Sequence, residues 1–178
     1  MKTIFLFVVL TLYIGINCYA QNKQIQFRLV LSEDEIATKD HDQYSFAVNE
    51  NSEPKDMYVD KEVLLSNSDI EKIIITSETF PVYGAKSIMA PKGNEDLTST
   101  FQEIIIEFKP ESAKKLEEVT RNNLKRQMAI ISDENVLMAP RILQPITEGT
   151  VQISGGFSES KENAIAFVKE LGFEPEFE

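Results

Sequence analysis

Apolar residues recur along the chain with two periods, and the switches between them mark the elements. Ile25, Phe27, Leu29 and Leu31 alternate with Gln26, Arg28 and Val30, the period of two expected of a strand with one well-covered face. Ser32, followed three residues later by Glu35, predicts a capping box that starts a short helical turn through Ala37. Thr38–Gln43 reads as a polar loop. Tyr44–Val48 and Met57–Leu65 read as short strands, with Asn49–Asp56 as an exposed turn between them. Ser66–Asp69 and Glu71 carry overlapping helix-start signals, but the β-branched run Lys72–Thr76 predicts a strand. Pro91–Thr100 has loop composition and no periodicity, and marks the best internal boundary.

The second half is patterned more densely. Gln102–Phe108 is a short isoleucine-rich strand. Pro110 then sets φ for a first helical turn, and Glu111 lies at the positive end of the helix dipole. Ala113, Leu116, Val119, Thr120 and Leu124 form one apolar stripe, and Lys125 and Arg126 fall near the negative end. Met128–Ile131 and Val136–Met138 flank Asp133-Glu134-Asn135 as the arms of a β-hairpin. Pro140, with no N–H for a ladder, ends the second arm. Gly149 and Gly155-Gly156 give backbone freedom on either side of a further strand, Val151–Ser154. In the last helix Ser158 is the expected cap, and Ala164, Phe167, Val168 and Leu171 form the apolar face. Gly172 terminates that helix, and Phe173–Glu178 is an acidic tail that either docks or stays mobile.

Strands and helices intermixed in this order predict an α+β fold, with helices packed on a mixed, largely antiparallel sheet. Three segments are expected: a signal peptide over 1–20, a β-rich lobe over 21–100, and an α+β region over 101–178 that forms one compact domain with the lobe.

The densest stretch, 101–157, resembles the head of the first periplasmic domain of SecD, an accessory membrane subunit of bacterial protein export. Glu117–Thr120, Met128–Asp133, Met138-Ala139-Pro140 and Ile146–Phe157 (ITEGTVQISGGF) carry the likeness. Phe27–Val30 and Met57–Asp69 extend it upstream. The family often has Gly after the hairpin Asp, where Glu134 stands here. Positive φ would cost Glu on the order of 1 kcal/mol, so a longer or different turn is expected. The family's membrane spans and ferredoxin-like base have no counterpart in these 178 residues. This stretch is therefore not expected to act as a proton-driven motor by itself. The resemblance implies a module that contacts polypeptides or partner proteins during export. The alternative is a structural or assembly component of the cell envelope with one fixed protein partner.

The first residues fit export. Lys2 supplies a positive start, Ile4–Ile16 is apolar apart from Thr11 and Gly15, and Cys18-Tyr19-Ala20 predicts cleavage after Ala20. That apolar run is shorter than the ~20 residues of a spanning helix, so no membrane span is expected after cleavage. Lipid anchoring through Cys18 is disfavoured because Asn17 precedes it where a small residue belongs. The expected location is periplasmic or secreted. Cleavage leaves no cysteine, so an ordinary core must supply stability. It also removes Lys2, leaving 17 basic against 29 acidic residues, a net charge of −12. Such a surface repels phosphate backbones and anionic membranes, which excludes nucleic acid as a partner. Protein or unfolded polypeptide is the expected partner, and the oligomeric state is open.

Candidate chemistry is sparse. His41 is the sole histidine and stands between Asp40 and Asp42, but adjacent residues seldom converge on one ion, and neither EF-hand spacing nor a catalytic triad is present. It reads as a loop residue. Gly155-Gly156-Phe157 is followed by Ser158-Glu159 and not by Lys-Ser/Thr, so it reads as a tight turn and not a phosphate cradle. Phe101, Phe108 and Met128 are expected in the core. No catalytic, metal-binding or cofactor-binding residue is assigned, and the chain is not expected to be an enzyme. The candidate protein-binding residues are Met138, Ala139, Pro140 and Arg141, an exposed edge with a rigid exit.

Overall fold

The computed structural model describes residues 22–47, 53–81, 98–154 and 160–178. The export signal expected over 1–20, the Gly155-Gly156 turn and Ser158 lie outside these residues. The described residues are mostly strand, with few helices, and the strands divide among three sheets where one was expected. Among the described residues every strand pairing is antiparallel except that of Glu176 and Phe177 with Ile74 and Ile75.

The first sheet has the order β4-β1-β7-β8, from Leu65–Ser66, Ile25–Leu29, Met128–Ser132 and Asn135–Met138. Its registers place Leu65, Phe27, Ile130 and Met138 in one row across the sheet. The second has the order β10-β5-β6-β9, from Glu176–Phe177, Ile70–Pro81, Thr98–Phe108 and Thr150–Ser154. Here Ile75, Ile104 and Ile153 form one cross-strand row, and Ile73, Ile106 and Val151 another. The two sheets share a single core, into which Leu116 of α2 (Pro110–Asn122) and Ala164, Phe167 and Val168 of α3 (Lys161–Glu170) also project. Phe27 and Phe108 meet edge-on in it, with centroids 5.3 Å apart. Both sheets draw strands from either side of residue 100.

A separate ribbon, β2 (His41–Phe46) with β3 (Lys55–Asp60), contributes Tyr44, Met57 and Val59 to a second cluster with Ala129 and Ile131 of β7. Both faces of the first sheet are therefore covered, and Arg28, expected on the open face, is buried.

Several expectations need correction. His41–Gln43 belongs to β2 and not to a loop, because β3 supplies ladder partners to a strand with little apolar signal. The strand expected over Met57–Leu65 ends at Asp60, whose side chain accepts from the Glu62 N–H at 3.0 Å and turns the chain before β4. Thr98–Thr100 is strand, paired with Thr79–Pro81. Leu124 lies beyond the end of α2 and is exposed. Phe101 is also exposed, unlike Phe108 and Met128. Ser160 caps α3 by accepting from the Asn163 N–H at 3.2 Å. The acidic tail docks: β10 pairs with Ile74 and Ile75 of β5, and the Lys161 ammonium sits 4.5 Å from the Phe177 ring centroid.

The capping box at α1 (Glu33–Ile36) forms as predicted, with Glu35 accepting from the Ser32 N–H at 3.0 Å. The hairpin turn uses two residues and places positive φ on Asp133 (51°) and not on Glu134. Asp133 also accepts from the Gln24 N–H at 3.0 Å through its carboxylate, which fits its short polar side chain to that conformation.

Candidate functional site

The exit from the hairpin builds an apolar groove. After β8 the chain does not leave β7: Met128 N–H donates to the Pro140 carbonyl at 3.0 Å, and Gln127 bridges to Arg141. Ile142 then exchanges backbone bonds with Lys125 and Arg126, at 2.7 and 2.8 Å. Lys125 has φ of 70°, which turns the end of α2 back toward this segment. Thr120, fully buried on α2, donates its hydroxyl to the Leu116 carbonyl at 2.8 Å and accepts from the Ile146 N–H at 2.9 Å. Residues 140–146 are thereby held over the gap between β7 and β9.

The result is a groove of about 230 Å³. Phe27, Met128 and Ile130 floor it, and Pro140, Arg141 and Leu143 stand at its opening. Leu143 is 79% exposed, the most exposed large hydrophobic among the described residues. The Thr120 hydroxyl in its wall is satisfied internally, and the other polar lining residues, Arg141 and Gln144, are exposed, so the floor is suited to apolar side chains.

The four residues singled out from sequence are separated by the pleat. Pro140 and Arg141 are exposed and line the groove. Met138 is half-buried against the main core, and Ala139 packs instead on the second cluster with Val59 and Ile131. Leu143 escaped attention in the sequence. The available signal was an Ile-Leu pair between Pro140 and Pro145, where no regular element allows both to turn inward.

Charge is concentrated elsewhere, where the β2–β3 ribbon meets α1. Glu35 pairs with Arg126 at 2.7 Å and Lys39 at 3.3 Å, and Lys39 reaches Asp60 at 3.1 Å. The Ser32 N–H, then the Ser32 hydroxyl and Arg126, hold the Glu35 carboxyl at about 2, below its ordinary 4.5. Burial works to raise Asp60, but the Glu62 N–H and Lys39 outweigh it and lower it. His41 faces Tyr58 edge-on at 5.3 Å, and its Nδ1 lies 3.0 Å from the Lys39 carbonyl. Among the described residues no three His, Cys, Asp or Glu side chains cluster to hold a metal ion, and no helix is long and apolar enough to cross a membrane.

Comparison with known proteins gives a consistent picture. The family model for the SecDF P1 head subdomain matches residues 72–172. Protein translocase subunit SecD of Calditerrivibrio nitroreducens is 38% identical over 81 residues, covering 44% of this chain and 16% of the relative. Protein translocase subunit SecDF of Thermus thermophilus is 42% identical over 73 residues, covering 41% of this chain and 10% of the relative. The matched stretch thus spans a small part of those relatives' length. In fold, the chain resembles a solved structure described as "Structure and function of a membrane component SecDF that enhances protein export", with a TM-score of 0.52 at 24% identity. That superposition covers 85% of this chain and 63% of the other.

Proposed function

Because the chain belongs to the SecDF P1 head subdomain family, we propose that it is a non-catalytic, exported head module that binds polypeptide segments in connection with protein export. It is exported by the segment ending at Ala20 and works in the periplasm or outside the cell. The groove beside Pro140, Arg141 and Leu143 receives apolar side chains of the bound polypeptide, with protein as its only class of partner.

The observation that carries this reading is Leu143, held 79% exposed at the mouth of an apolar groove by a segment that is itself tied down at Ile142 and Ile146. A large aliphatic side chain kept in water by a fixed backbone favours partners that cover it. The chain's net charge of −11 keeps such a surface soluble.

The test is fluorescence anisotropy of labelled unfolded polypeptides of differing charge, titrated with the protein at two salt concentrations. Sequence-tolerant binding, lost in Leu143→Asp with the fold intact by circular dichroism, supports the reading. No binding up to the solubility limit overturns it. One stable complex recovered by crosslinking in intact cells, with no binding of unfolded polypeptides, would instead assign the chain to a fixed envelope assembly.

A further inference from the structure

A second groove, of about 460 Å³, lies between α1 and β3. Apart from Gln127 its lining precedes residue 72, so it falls outside the stretch matched to the head family. Leu31 is buried at its floor, with Ile36, Phe46 and Met57 half-buried around it. The rim is charged: Glu33, Glu53 and Asp56 are exposed, accompanied by Lys55.

Those three carboxylates differ from the nearby Glu35, Asp42 and Asp60, each of which engages a lysine or arginine. Among the described residues Glu33, Glu53 and Asp56 have no ion-pair partner. With three carboxylates against the single ammonium of Lys55, the rim presents an excess of negative charge around an apolar floor, and the groove's volume lies within the ~300–1,000 Å³ of ligand pockets.

We propose that this groove binds a segment of a partner protein in which apolar side chains are flanked by lysine or arginine. The floor takes the apolar side chains and the rim carboxylates take the cations, which fixes orientation and rejects acidic segments. Phosphate-bearing partners are repelled by the same rim. A second copy of this chain, at a net charge of −11, is disfavoured for the same reason.

The experiment uses two labelled synthetic peptides with the same alternating leucine and phenylalanine core, one flanked by lysines and the other by glutamates. Each is titrated with the full chain in low and in high salt. The lysine-flanked peptide is expected to bind about tenfold tighter or more, with the difference shrinking at high salt. Combined Glu33→Gln, Glu53→Gln and Asp56→Asn substitutions remove that discrimination with the fold intact, and Leu143→Ser at the other groove leaves it in place. Equal binding of the two peptides, binding of neither, or discrimination that survives the triple variant overturns the proposal. So does discrimination that depends on Leu143. Concentration-dependent dimerisation that the triple variant abolishes would give the groove to a second copy and overturn it as well.

Discussion

Arg28 and Asp42 are joined at 2.7 Å, yet the two ends of that ion pair stand in different surroundings. Arg28 is 4% exposed, whereas the Asp42 side chain is 42% exposed. Arg28 Nε also donates to the Asp60 carbonyl at 2.5 Å, and Nη2 to the Val59 carbonyl at 3.4 Å. The guanidinium thus pins the β2–β3 ribbon to β1 mainly through buried carbonyls, with a solvent-screened carboxylate as its outer partner.

This asymmetry predicts unequal costs. Arg28→Met strands the Asp60 carbonyl and is expected to destabilise the fold by about 1–3 kcal/mol. Asp42→Asn removes a screened charge and is expected to cost roughly 1 kcal/mol or less. Urea denaturation of both variants checks the order, and an Asp42→Asn cost equal to that of Arg28→Met would refute this account of the anchor.

Glu35 predicts a specific acid response. Its carboxyl is held at about 2 against an ordinary 4.5, by the Ser32 N–H first and then by the Ser32 hydroxyl and Arg126. A depressed folded-state value means that the contribution is fully present above about 4.5 and is lost as pH falls toward about 2. Glu35→Gln keeps the capping geometry but cannot titrate. The difference in melting temperature between wild type and Glu35→Gln should therefore shrink steadily between those pH values. A constant difference would show that the charge of Glu35 contributes nothing to stability.

Much of the fold was legible because local patterns and long-range contacts agreed. The Ser32–Glu35 box, the arms around Asp133 and the Leu116–Thr120 stripe all form where periodicity and capping put them. The misses share a physical cause. His41–Gln43 and Glu176–Phe177 become strand only because a partner far away in sequence accepts them, and neither carries enough apolar alternation to announce it. The groove was half legible. Pro140 and Arg141 were visible as a rigid exit, but Leu143 owes its exposure to backbone bonds at Ile142 and Ile146 that no local pattern encodes.

Gly149 and Gly172 both have positive φ, at 68° and 87°, but they differ in what surrounds them. A Cβ on Gly149 would lie 2.6 Å from the Ala113 Cβ on α2. A Cβ on Gly172 would meet the end of the exposed Asn22 side chain, which can swing away. Gly172→Ala is therefore expected to cost about 1–2 kcal/mol from backbone strain alone. Gly149→Ala adds about 1–3 kcal/mol of overpacking. Thermal melts give the order. Adding Ala113→Gly should recover part of the Gly149→Ala loss, and strict additivity of the two would locate the strain elsewhere.

Asn67 offers the sharpest test of what closes the domain. Its side-chain oxygen accepts from the Ile25 N–H at 2.6 Å, and its amide donates to the carbonyls of Lys23 and Leu171, at 3.0 and 2.9 Å. One side chain thus joins the entry to β1, the turn before β5 and the end of α3. Asn67→Ala leaves the partly buried Ile25 donor and the Leu171 carbonyl without these bonds, at an expected cost of about 1–3 kcal/mol. Asn67→Asp is the more telling variant. It keeps the acceptor for Ile25 but turns a negative oxygen toward two carbonyls, replacing two attractions by repulsions. It should destabilise at least as much as Asn67→Ala near neutral pH and recover partly when acid protonates it. If Asn67→Asp unfolds in urea at the wild-type midpoint, the amide bonds to Lys23 and Leu171 contribute nothing, and α3 must be held by its apolar face and by the bonds from Lys23 to Glu170.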